Sequence, residues 1–461
     1  MSWDTIIIGS GISGSFYANS LTQNGLKVLI IESGKAYTPH TYPRHELHSN
    51  SEMYWNGGVE INKSADLAIL RPKVLGGGSV INGGLLDRFD NLAWKYFEEA
   101  SQISDFNSTS MNPYYDQAES EIHLQKIPES FANGNAKVFR KGFQNLGYQY
   151  ATLTRAQKNC KYNEGNDCIE CLGGCPIGSK QSMLDSALGN ALKNGAQIYT
   201  QFTVEHIEHT ASGVHVHGVN GQGHHESFFA PKVVLAAGSI GNTKILQSSN
   251  IKNQSIGHNF YNHPQWMVLA RYQEPINGFQ GPLQSYKSDD INFRKKGFKL
   301  ENVFAGPVAI SMLIPNVGKN HQDWMSNLAH IACIEVCIRD TSPGTIRFNS
   351  QGQVLIDKNL NQDDLAKKTE GINTIKSIFH STGCQEISVG DMSISLHLMG
   401  GCAIGENATK SVVSPDFHLH DYPNLYCSDS SIFPAAPGIN PSLTIMALSI
   451  KGSQSLLRNY S

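Results

Sequence analysis

The stretch 4-DTIIIGSGISGSFYANSLTQNGLKVLIIESG-34 combines an apolar run, a glycine-rich turn, an amphipathic segment and a second apolar run. The pattern predicts a strand over residues 5–8, a helix over about residues 13–23 and a second strand over residues 27–31. The turn holds Gly9, Gly11 and Gly14, and the second strand ends at an acidic residue, Glu32. This order is typical of the dinucleotide-binding unit of a Rossmann fold, so we expect an α/β protein.

Each glycine of this turn has a separate physical task. Gly9 allows the tight turn, Gly11 lets the backbone approach a pyrophosphate, and Gly14 lets the helix pack closely on the strand. The start of the helix faces the phosphates with free N–H groups and the positive end of its dipole. Glu32 can accept hydrogen bonds from ribose hydroxyls. The unit by itself does not distinguish FAD from NAD.

Length and charge exclude several classes of protein. A chain of 461 residues predicts two domains or one large composite domain. The net charge of −3 and the lack of a basic run argue against a nucleic-acid partner. No apolar run approaches about 18 residues, so no membrane-spanning helix is expected. The start, MSWDTIIIGSG, lacks the basic and apolar regions of a signal peptide, and we expect a cytoplasmic protein.

Further blocks resemble a known family. They are 71-RPKVLGGGSVINGGLLDR-88, 233-VVLAAGSIGNTKILQSS-249, 256-IGHNFYNHP-264, 395-SLHLMGGCAIG-405 and 424-NLYCSDSSIFPAAPGINPSLTIMALSIKGSQSLL-457. With the first unit, and in this order, they resemble the glucose–methanol–choline (GMC) family of FAD-dependent oxidoreductases. The blocks HLMGGCAIG and GINPSLTIMAL are most similar to the branch of cholesterol oxidases and long-chain alcohol oxidases.

The resemblance implies a Rossmann-like FAD-binding domain and a β-sheet substrate-binding domain. Residues 1–257 and 395–461 would form the FAD-binding domain, and the last of these segments would carry the active-site residues. Residues 258–394 would form the substrate-binding domain. Within it, the short apolar runs over residues 307–315 and 329–340 predict strands of a sheet that caps the flavin.

The resemblance also implies a set of FAD contacts. Ile81 stands where some relatives carry a histidine that attaches FAD covalently, so we expect noncovalent FAD. The expected contacts are Gly9, Ser10, Gly11, Gly14, Glu32, Ser33, Gly77, Gly78, Ser79, Asn82, Gly83, Val204, Asp429, Asn440 and Pro441.

Oxidation of an alcohol requires that a hydroxyl proton leaves and that a hydride passes from carbon to flavin N5. His397 matches the active-site histidine of the family, and Asn440 matches the second active-site position. We expect His397 to act as the base, or as the group that polarises the hydroxyl by a hydrogen bond. Asn440 would bind the same oxygen as charge develops on it. His263, in the NHP block, is interpreted as a structural residue at a chain turn before Pro264.

The segment 160-CKYNEGNDCIECLGGCPIGSKQS-182 holds four of the nine cysteines of the chain. Cys168, Cys171 and Cys175 lie close enough together in sequence to ligate one metal or cluster. Three interpretations stay open: a loop without metal, which we favour, an iron–sulfur cluster, and a zinc site. A cluster would make the protein a dehydrogenase that passes electrons to a partner.

The sequence constrains the substrate and the electron acceptor less than it constrains the cofactor. The resemblance implies a small-molecule alcohol as substrate, and oxygen or another electron acceptor. The chain is shorter than most family members, and we hypothesise an open pocket that suits a bulky or protein-bound substrate. The same fold also carries non-redox flavoenzymes such as lyases, and a flavin-binding protein without turnover is a third alternative.

Overall fold

The computed structural model describes residues 2–160, 171–315 and 317–460. Strands and helices are numbered in chain order. The strands are β1 (Thr5–Ile8), β2 (Val28–Ile31), β3 (Glu60–Ile61), β4 (Leu67–Ile69), β5 (Leu124–Lys126), β6 (Tyr150–Thr152), β7 (Thr154–Ala156), β8 (Gln197–Tyr199), β9 (Phe202–Thr210), β10 (Gly213–Asn220), β11 (His225–Ala230), β12 (Lys232–Leu235), β13 (Tyr261–Arg271), β14 (Tyr286–Ser288), β15 (Phe298–Asn302), β16 (Ile331–Ile338), β17 (Thr345–Phe348), β18 (Val354–Asp357), β19 (Glu386–Val389), β20 (Ser393–Met399), β21 (His418–Leu419) and β22 (Tyr422–Cys427).

The α-helices pack on these sheets and on one another. They are α1 (Ile12–Gln23), α2 (Glu46–Met53), α3 (Gly78–Ile81), α4 (Asn91–Ser101), α5 (Ser108–Ser120), α6 (Gly134–Leu146), α7 (Ala187–Lys193), α8 (Gly238–Ser248), α9 (Ile291–Lys296), α10 (Pro307–Leu313), α11 (Lys319–Ser326), α12 (Gln362–Ser381) and α13 (Ser442–Arg458). In the described part of the chain, no helix is long and apolar enough to cross a membrane.

The first sheet has the strand order β21-β22-β12-β1-β2-β8. β1 pairs in parallel with both β2 and β12, and all four residues of β1 are buried. Parallel strands covered on both faces read as continuous apolar runs, which explains TIII and VLII. β1 spans the predicted residues 5–8, and β2 begins one residue later than predicted. The α/β prediction with a Rossmann-like unit is confirmed.

The second sheet has the order β3-β4-β20-β13-β16-β15-β14-β6, with β19 also paired to β13. Its pairs are antiparallel except that of β4 with β20. One face packs on α6 and α12 through an apolar cluster that includes Trp266, Val268 and Val336. β3, β4 and β6 come from the first predicted segment, and β20 crosses the predicted boundary at residue 395. The domain division itself stays a prediction.

The predicted strand over residues 307–315 is wrong, because α10 occupies Pro307–Leu313. Gly306 stands at the N-cap and Pro307 at the first turn, where a preset φ and a missing N–H favour a helix start. A short apolar run does not distinguish a strand from a buried helix by periodicity alone. By contrast, the predicted strand over residues 329–340 contains β16.

Gly14 allows α1 to pack against the turn that precedes it. A Cβ at Gly14 would lie 2.0 Å from the carbonyl oxygen of Gly9, whereas a Cβ at Gly11 would find its nearest neighbour at 4.0 Å. We expect Gly14→Ala to lower the free energy of unfolding by about 2–3 kcal/mol, because overpacking displaces backbone on both sides. Thermal melting of the ligand-free proteins measures this. Gly11→Ala is the matched control, and equal melting temperatures for the two variants would contradict the role of Gly14.

Candidate active site

A cavity of about 1210 Å³ is lined by residues of both sheets. Gly9 and Glu32 reach it from the carboxyl ends of β1 and β2, and Val204 reaches it from β9. Gln265 and Glu335 line it from the face of the second sheet opposite α6 and α12. The carboxyl edge of a parallel sheet is where α/β folds bind ligands, so the cavity lies where the Rossmann unit predicts a dinucleotide.

The first glycine turn borders this cavity and can accommodate a ligand there. Gly9 has φ +103°, and a Cβ there would lie 2.3 Å from the carbonyl oxygen of Ala236. Gly11 lines the cavity and has open space where a Cβ would stand. The hydroxyl of Ser13, 2% exposed and in the first turn of α1, has no hydrogen-bond partner. A buried hydroxyl without a partner at a helix start fits a phosphate oxygen of a bound dinucleotide.

Ser10 lies behind the turn and connects three segments. Its backbone N–H and its hydroxyl both donate to Glu32 Oε2, at 3.0 and 2.6 Å. The same hydroxyl accepts from the N–H of Gly76 at 2.9 Å. Glu32 Oε1 accepts from the N–H of Gly34 at 2.7 Å, and both Glu32 and Ser33 line the cavity. Ser10 therefore orients the acidic residue and the second glycine block, and does not itself line the cavity.

The second glycine block touches the first. Gly77 has φ +56°, and a Cβ there would lie 2.7 Å from Gly11 Cα. Gly78, Asn82 and Gly83 line the cavity. Ser79 points away from it, because its hydroxyl donates to the carbonyl of Gly76 at 2.6 Å and accepts from the N–H of Met183 at 3.0 Å.

The C-terminal block completes this wall with Asp429, Asn440 and Pro441. Asp429 Oδ2 accepts from the N–H of Gly238, at the start of α8, at 2.7 Å and from Asn242 at 2.9 Å. Burial raises the pKa of Asp429. The predicted contacts therefore surround one cavity, except that Ser10, Gly14 and Ser79 support the turns from behind.

Two histidines meet beside this wall. His397, on β20, has φ +57°, a left-handed backbone that a β-strand residue rarely adopts. Its Nδ1 lies 3.0 Å from Nδ1 of His263 on β13. The other ring nitrogen of His263, Nε2, accepts from the backbone N–H of Gly438 at 3.0 Å. His263 is fully buried, whereas His397 is partly buried and lines the cavity.

These bonds determine the protonation of both rings. A backbone N–H can only donate, so Nε2 of His263 is an acceptor, and the proton of a neutral His263 is on Nδ1. That proton points at Nδ1 of His397, which must then accept, and a neutral His397 carries its proton on Nε2. His397 therefore presents an N–H donor, and not a lone pair, at the ring nitrogen left for the cavity.

Electrostatics keeps both rings neutral. Burial, and then the positive charge of Lys299, lowers the pKa of His397 from 6.5 to about 3, although Glu301 opposes this. Burial, with the neighbouring His397 and Lys299, also places the pKa of His263 well below its usual range. Near neutral pH the protein holds the donor tautomer of His397.

Asn440 is oriented by a buried ion pair. Lys299, on β15, donates to Oδ1 of Asn440 at 2.5 Å and to Oε1 of Glu301 at 2.7 Å. An ammonium has no acceptor, so the amide oxygen of Asn440 faces Lys299 and its NH₂ group is left for the cavity. Burial lowers the pKa of Lys299, but the negative charge of Glu301 outweighs this, and the net pKa is raised. Lys299 is therefore charged.

A second carboxyl adjoins this pair. Glu335 lies directly opposite Glu301 in the register of β15 and β16, and Gln284 Nε2 donates to both carboxyls at 3.1 Å. Burial and the neighbouring Glu301 raise the pKa of Glu335 well above its usual range, whereas Lys299 and the hydrogen bond from Glu335 hold that of Glu301 low against its own burial. The two carboxyls share one proton, so with Lys299 the cluster has no net charge.

The interpretation of His263 as a residue at a chain turn is wrong, because it lies inside β13 and contacts His397 directly. Sequence reasoning identified the NHP block but not this contact. It also missed Ser13, Lys299 and Glu335. Lys299 and Glu301 alternate in β15 (FKLEN), which indicates a shared face, but nothing in the sequence shows that this face meets Asn440.

The cysteine segment lies partly outside the described residues, and Cys168 is among those outside. Cys171 and Cys175 are buried and not disulfide-bonded. Lys180 donates to the carbonyls of Cys171, Val80 and Asn82, which fastens this segment to the second glycine block. Over residues 2–160, 171–315 and 317–460, no group of three His, Cys, Asp or Glu residues could hold a metal ion.

Two family models together match more than half of the chain. Residues 50–265 and 340–449 match the N-terminal and C-terminal sequence models of the GMC oxidoreductase family. Residues 7–56 match the model of an NAD(P)-binding Rossmann-like domain. The family implies FAD as the cofactor.

Individual relatives are distant but cover most of the chain. An uncharacterized GMC-type oxidoreductase of Mycobacterium tuberculosis is 23% identical over 97% of this chain and 74% of its own length. A long-chain-alcohol oxidase of Arabidopsis thaliana is 26% identical over 96% of this chain, which spans 66% of that relative. The crystal structure of a pyridoxine 4-oxidase from Mesorbium loti has a TM-score of 0.79 at 16% identity, with 99% of each chain covered, and so shows a shared fold. The chain belongs to the GMC oxidoreductase family and is an oxidoreductase that acts on CH–OH groups.

Proposed function

We propose that this protein oxidises a small-molecule alcohol with noncovalently bound FAD, and that His397 and Asn440 bind the oxygen of the reacting hydroxyl. The observation that carries the proposal is that His397 and Asn440 line the cavity that also holds the Rossmann turns, while the opposite ends of both side chains are engaged by His263 and Lys299, which leaves His397 Nε2–H and the Asn440 NH₂ group as donors. FAD, when bound, supplies the two-electron acceptor to which the substrate carbon loses a hydride.

The residues that line the cavity at the glycine turns fit FAD. The unpartnered hydroxyl of Ser13 and the start of α1 suit its pyrophosphate, and Gly11 leaves room for close approach. Ile81 offers no nucleophile for a covalent bond to the flavin. Glu32, already held by Ser10 and Gly34, keeps further lone pairs for a ribose hydroxyl.

The two donors favour charge on the substrate oxygen. Hydrogen bonds aimed at an oxygen on which negative charge develops are stronger in the transition state than in the ground state. The ammonium of Lys299 donates to Asn440 from behind, with its side chain only 13% exposed, and adds a positive charge close to the bound oxygen. Together they lower the pKa of the bound hydroxyl.

His397 assists proton removal without taking the proton. The tautomer that could accept at Nε2 would need Nδ1–H donated to His263, and His263 would then lose its bond from Gly438. We therefore assign the proton to a water molecule in the cavity, which leaves the alkoxide between the two donors. The charges around the site agree, since the Glu301 and Glu335 carboxyls are already occupied by Lys299, Gln284 and each other.

We expect the purified protein to carry flavin that acid precipitation releases completely, because no covalent attachment is proposed. Anaerobic addition of an alcohol should bleach the flavin absorbance, which a lyase or a flavin-binding protein without turnover would not show. Iron is measured on the same sample to test the cysteine segment. A folded protein that never binds flavin, or flavin that no alcohol reduces, would contradict the proposed function.

Replacement of His397 distinguishes a donor from a base. We expect His397→Ala to slow anaerobic flavin reduction by about 10²–10³-fold, the usual effect of removing such a donor. His397→Gln should stay within about tenfold of the native rate, because its amide offers an acceptor for His263 and a donor for the substrate. Flavin content of each variant is the control. If the Gln variant is as slow as the Ala variant, His397 takes the proton itself.

The pH profile provides a second measurement of the same point. Because the pKa of His397 is lowered to about 3, the ring stays neutral at pH 5–8 and becomes protonated only as the pH falls toward 3. The rate of flavin reduction should therefore show no titration near 6.5. An inflection there that disappears in His397→Gln would contradict the neutral donor.

Replacement of Lys299 tests the charge behind Asn440. We expect Lys299→Met to slow flavin reduction by about 100-fold, whereas Lys299→Arg, which keeps the charge, should lose less. Loss of the charge should also raise the pKa of His397, so that the acid limb of the profile moves to higher pH. Lys296→Met, at an exposed ion pair with Glu370, is the control. An unchanged acid limb in a folded Lys299→Met variant would exclude this electrostatic role.

A further inference from the structure

One polar atom in the cavity wall has no partner. The side chain of Gln265, on β13, is 2% exposed, lines the cavity, and its Oε1 makes no hydrogen bond. The amide end of the same side chain bonds the thiol of Cys337, its neighbour in the register of β13 and β16. A buried carbonyl oxygen left without a donor is unfavourable, so its persistence in the wall of a cavity points to a ligand that supplies the donor.

The polar side chains near Gln265 are carboxyls, which accept hydrogen bonds, and donors that already have partners. On the same sheet face, Glu335 and Glu301 occupy the next row of the register, beside Met267. The nearby donors are already used, since Gln284 donates to both carboxyls and Lys299 donates to Glu301 and Asn440. A ligand group that binds here must therefore bring its own hydrogen.

The net charge of the residues around Gln265 favours a neutral donor group on the ligand over a cationic one. Lys299 balances the single negative charge that Glu301 and Glu335 share. A neutral hydroxyl can donate to Gln265 without disturbing that balance, whereas an ammonium group would meet a cluster that already holds its cation.

The position of Gln265 sets the spacing. It follows His263 by two residues on the same strand, which corresponds to about 6–7 Å along β13. His263 in turn contacts His397, which binds the reacting oxygen in the proposed function. Since β13 and β20 are adjacent strands, Gln265 and His397 line neighbouring parts of the cavity, and a second hydroxyl close to the reacting one is well placed to reach Oε1 of Gln265.

We propose that the substrate is an alcohol with a second hydroxyl group close to the reacting one, and that this second hydroxyl donates to Oε1 of Gln265. The inference rests on the proposed function and specifies its substrate class. The rest of the substrate meets apolar surface, because the outer part of the same cavity includes Val59, Met312 and Leu355, which are 70, 71 and 52% exposed.

The test compares matched alcohols in anaerobic flavin reduction by the native holoenzyme. The probes are 1-hexanol, 1,3-hexanediol and 3-aminohexan-1-ol, which differ only at the third carbon. We expect kcat/KM for the diol to exceed that for 1-hexanol by about 10-fold or more, because only the diol satisfies the buried oxygen. A preference for 1-hexanol, or for the amino alcohol over the diol, overturns the inference. If neither these three compounds nor any other simple alcohol reduces the flavin, the proposed function itself is overturned.

A substitution assigns the preference to Gln265. Gln265→Met keeps the length of the side chain and removes the acceptor, so we expect the advantage of the diol over 1-hexanol to fall to about twofold or less. Met267→Leu, the next residue on the same face, is the matched control and should keep the preference for the diol. A diol preference that survives in flavin-loaded Gln265→Met overturns the assignment.

Discussion

The backbone N–H of Gly438 determines the chemistry that the proposed site can perform. Because it donates to Nε2 of His263, it orients that ring, and His263 in turn orients His397. No side-chain substitution at residue 438 removes this donor unless proline is introduced. The tautomer of His397 is thus fixed by the path of the main chain just before Asn440, and both donors of the proposed site depend on the same loop.

That loop also brings the two sheets together. Asn440 belongs to the segment that leads into α13, which packs on α1 of the Rossmann unit, whereas Lys299 belongs to the second sheet. The hydrogen bond between them crosses from one sheet system to the other. A displacement of either part would therefore separate the amide from the ammonium before it disturbed the packing of either core. Such a contact suits a site in which the position of one oxygen-binding group matters more than its share of stability.

The sequence predicted the parts of this structure that depend on local order. β1, the glycine turn, α1 and β2 follow one another within thirty residues, and each step is written in the pattern of apolar and glycine residues. The contact of His263 with His397 depends on the pairing of β13 and β20, and that of Lys299 with Asn440 depends on how a strand meets a distant loop, so each joins segments more than a hundred residues apart. Alternation shows which residues share a face, but not which face is covered by helices. For residues 307–315 the short apolar run fits either a strand or a helix, and Gly306 with Pro307 favours the start of a helix.

The two faces of the second sheet differ, because only the face toward the cavity carries the polar residues of the candidate site. On β13, Trp266 and Val268 pack toward α6 and α12, whereas Gln265 faces the cavity. On β16, Val336 packs toward the same helices, whereas Glu335 faces the cavity. Buried ion pairs and paired carboxyls contribute little net stability and are often replaceable by apolar residues without loss. The cavity face also carries an apolar cluster in which Met267 and Leu269 pack with α10 and α11, so the packing of the sheet does not depend on the polar residues. The charged cluster of Lys299, Glu301 and Glu335 is therefore better explained by the alcohol oxygen and the electrostatics of its oxidation than by the folding of the chain.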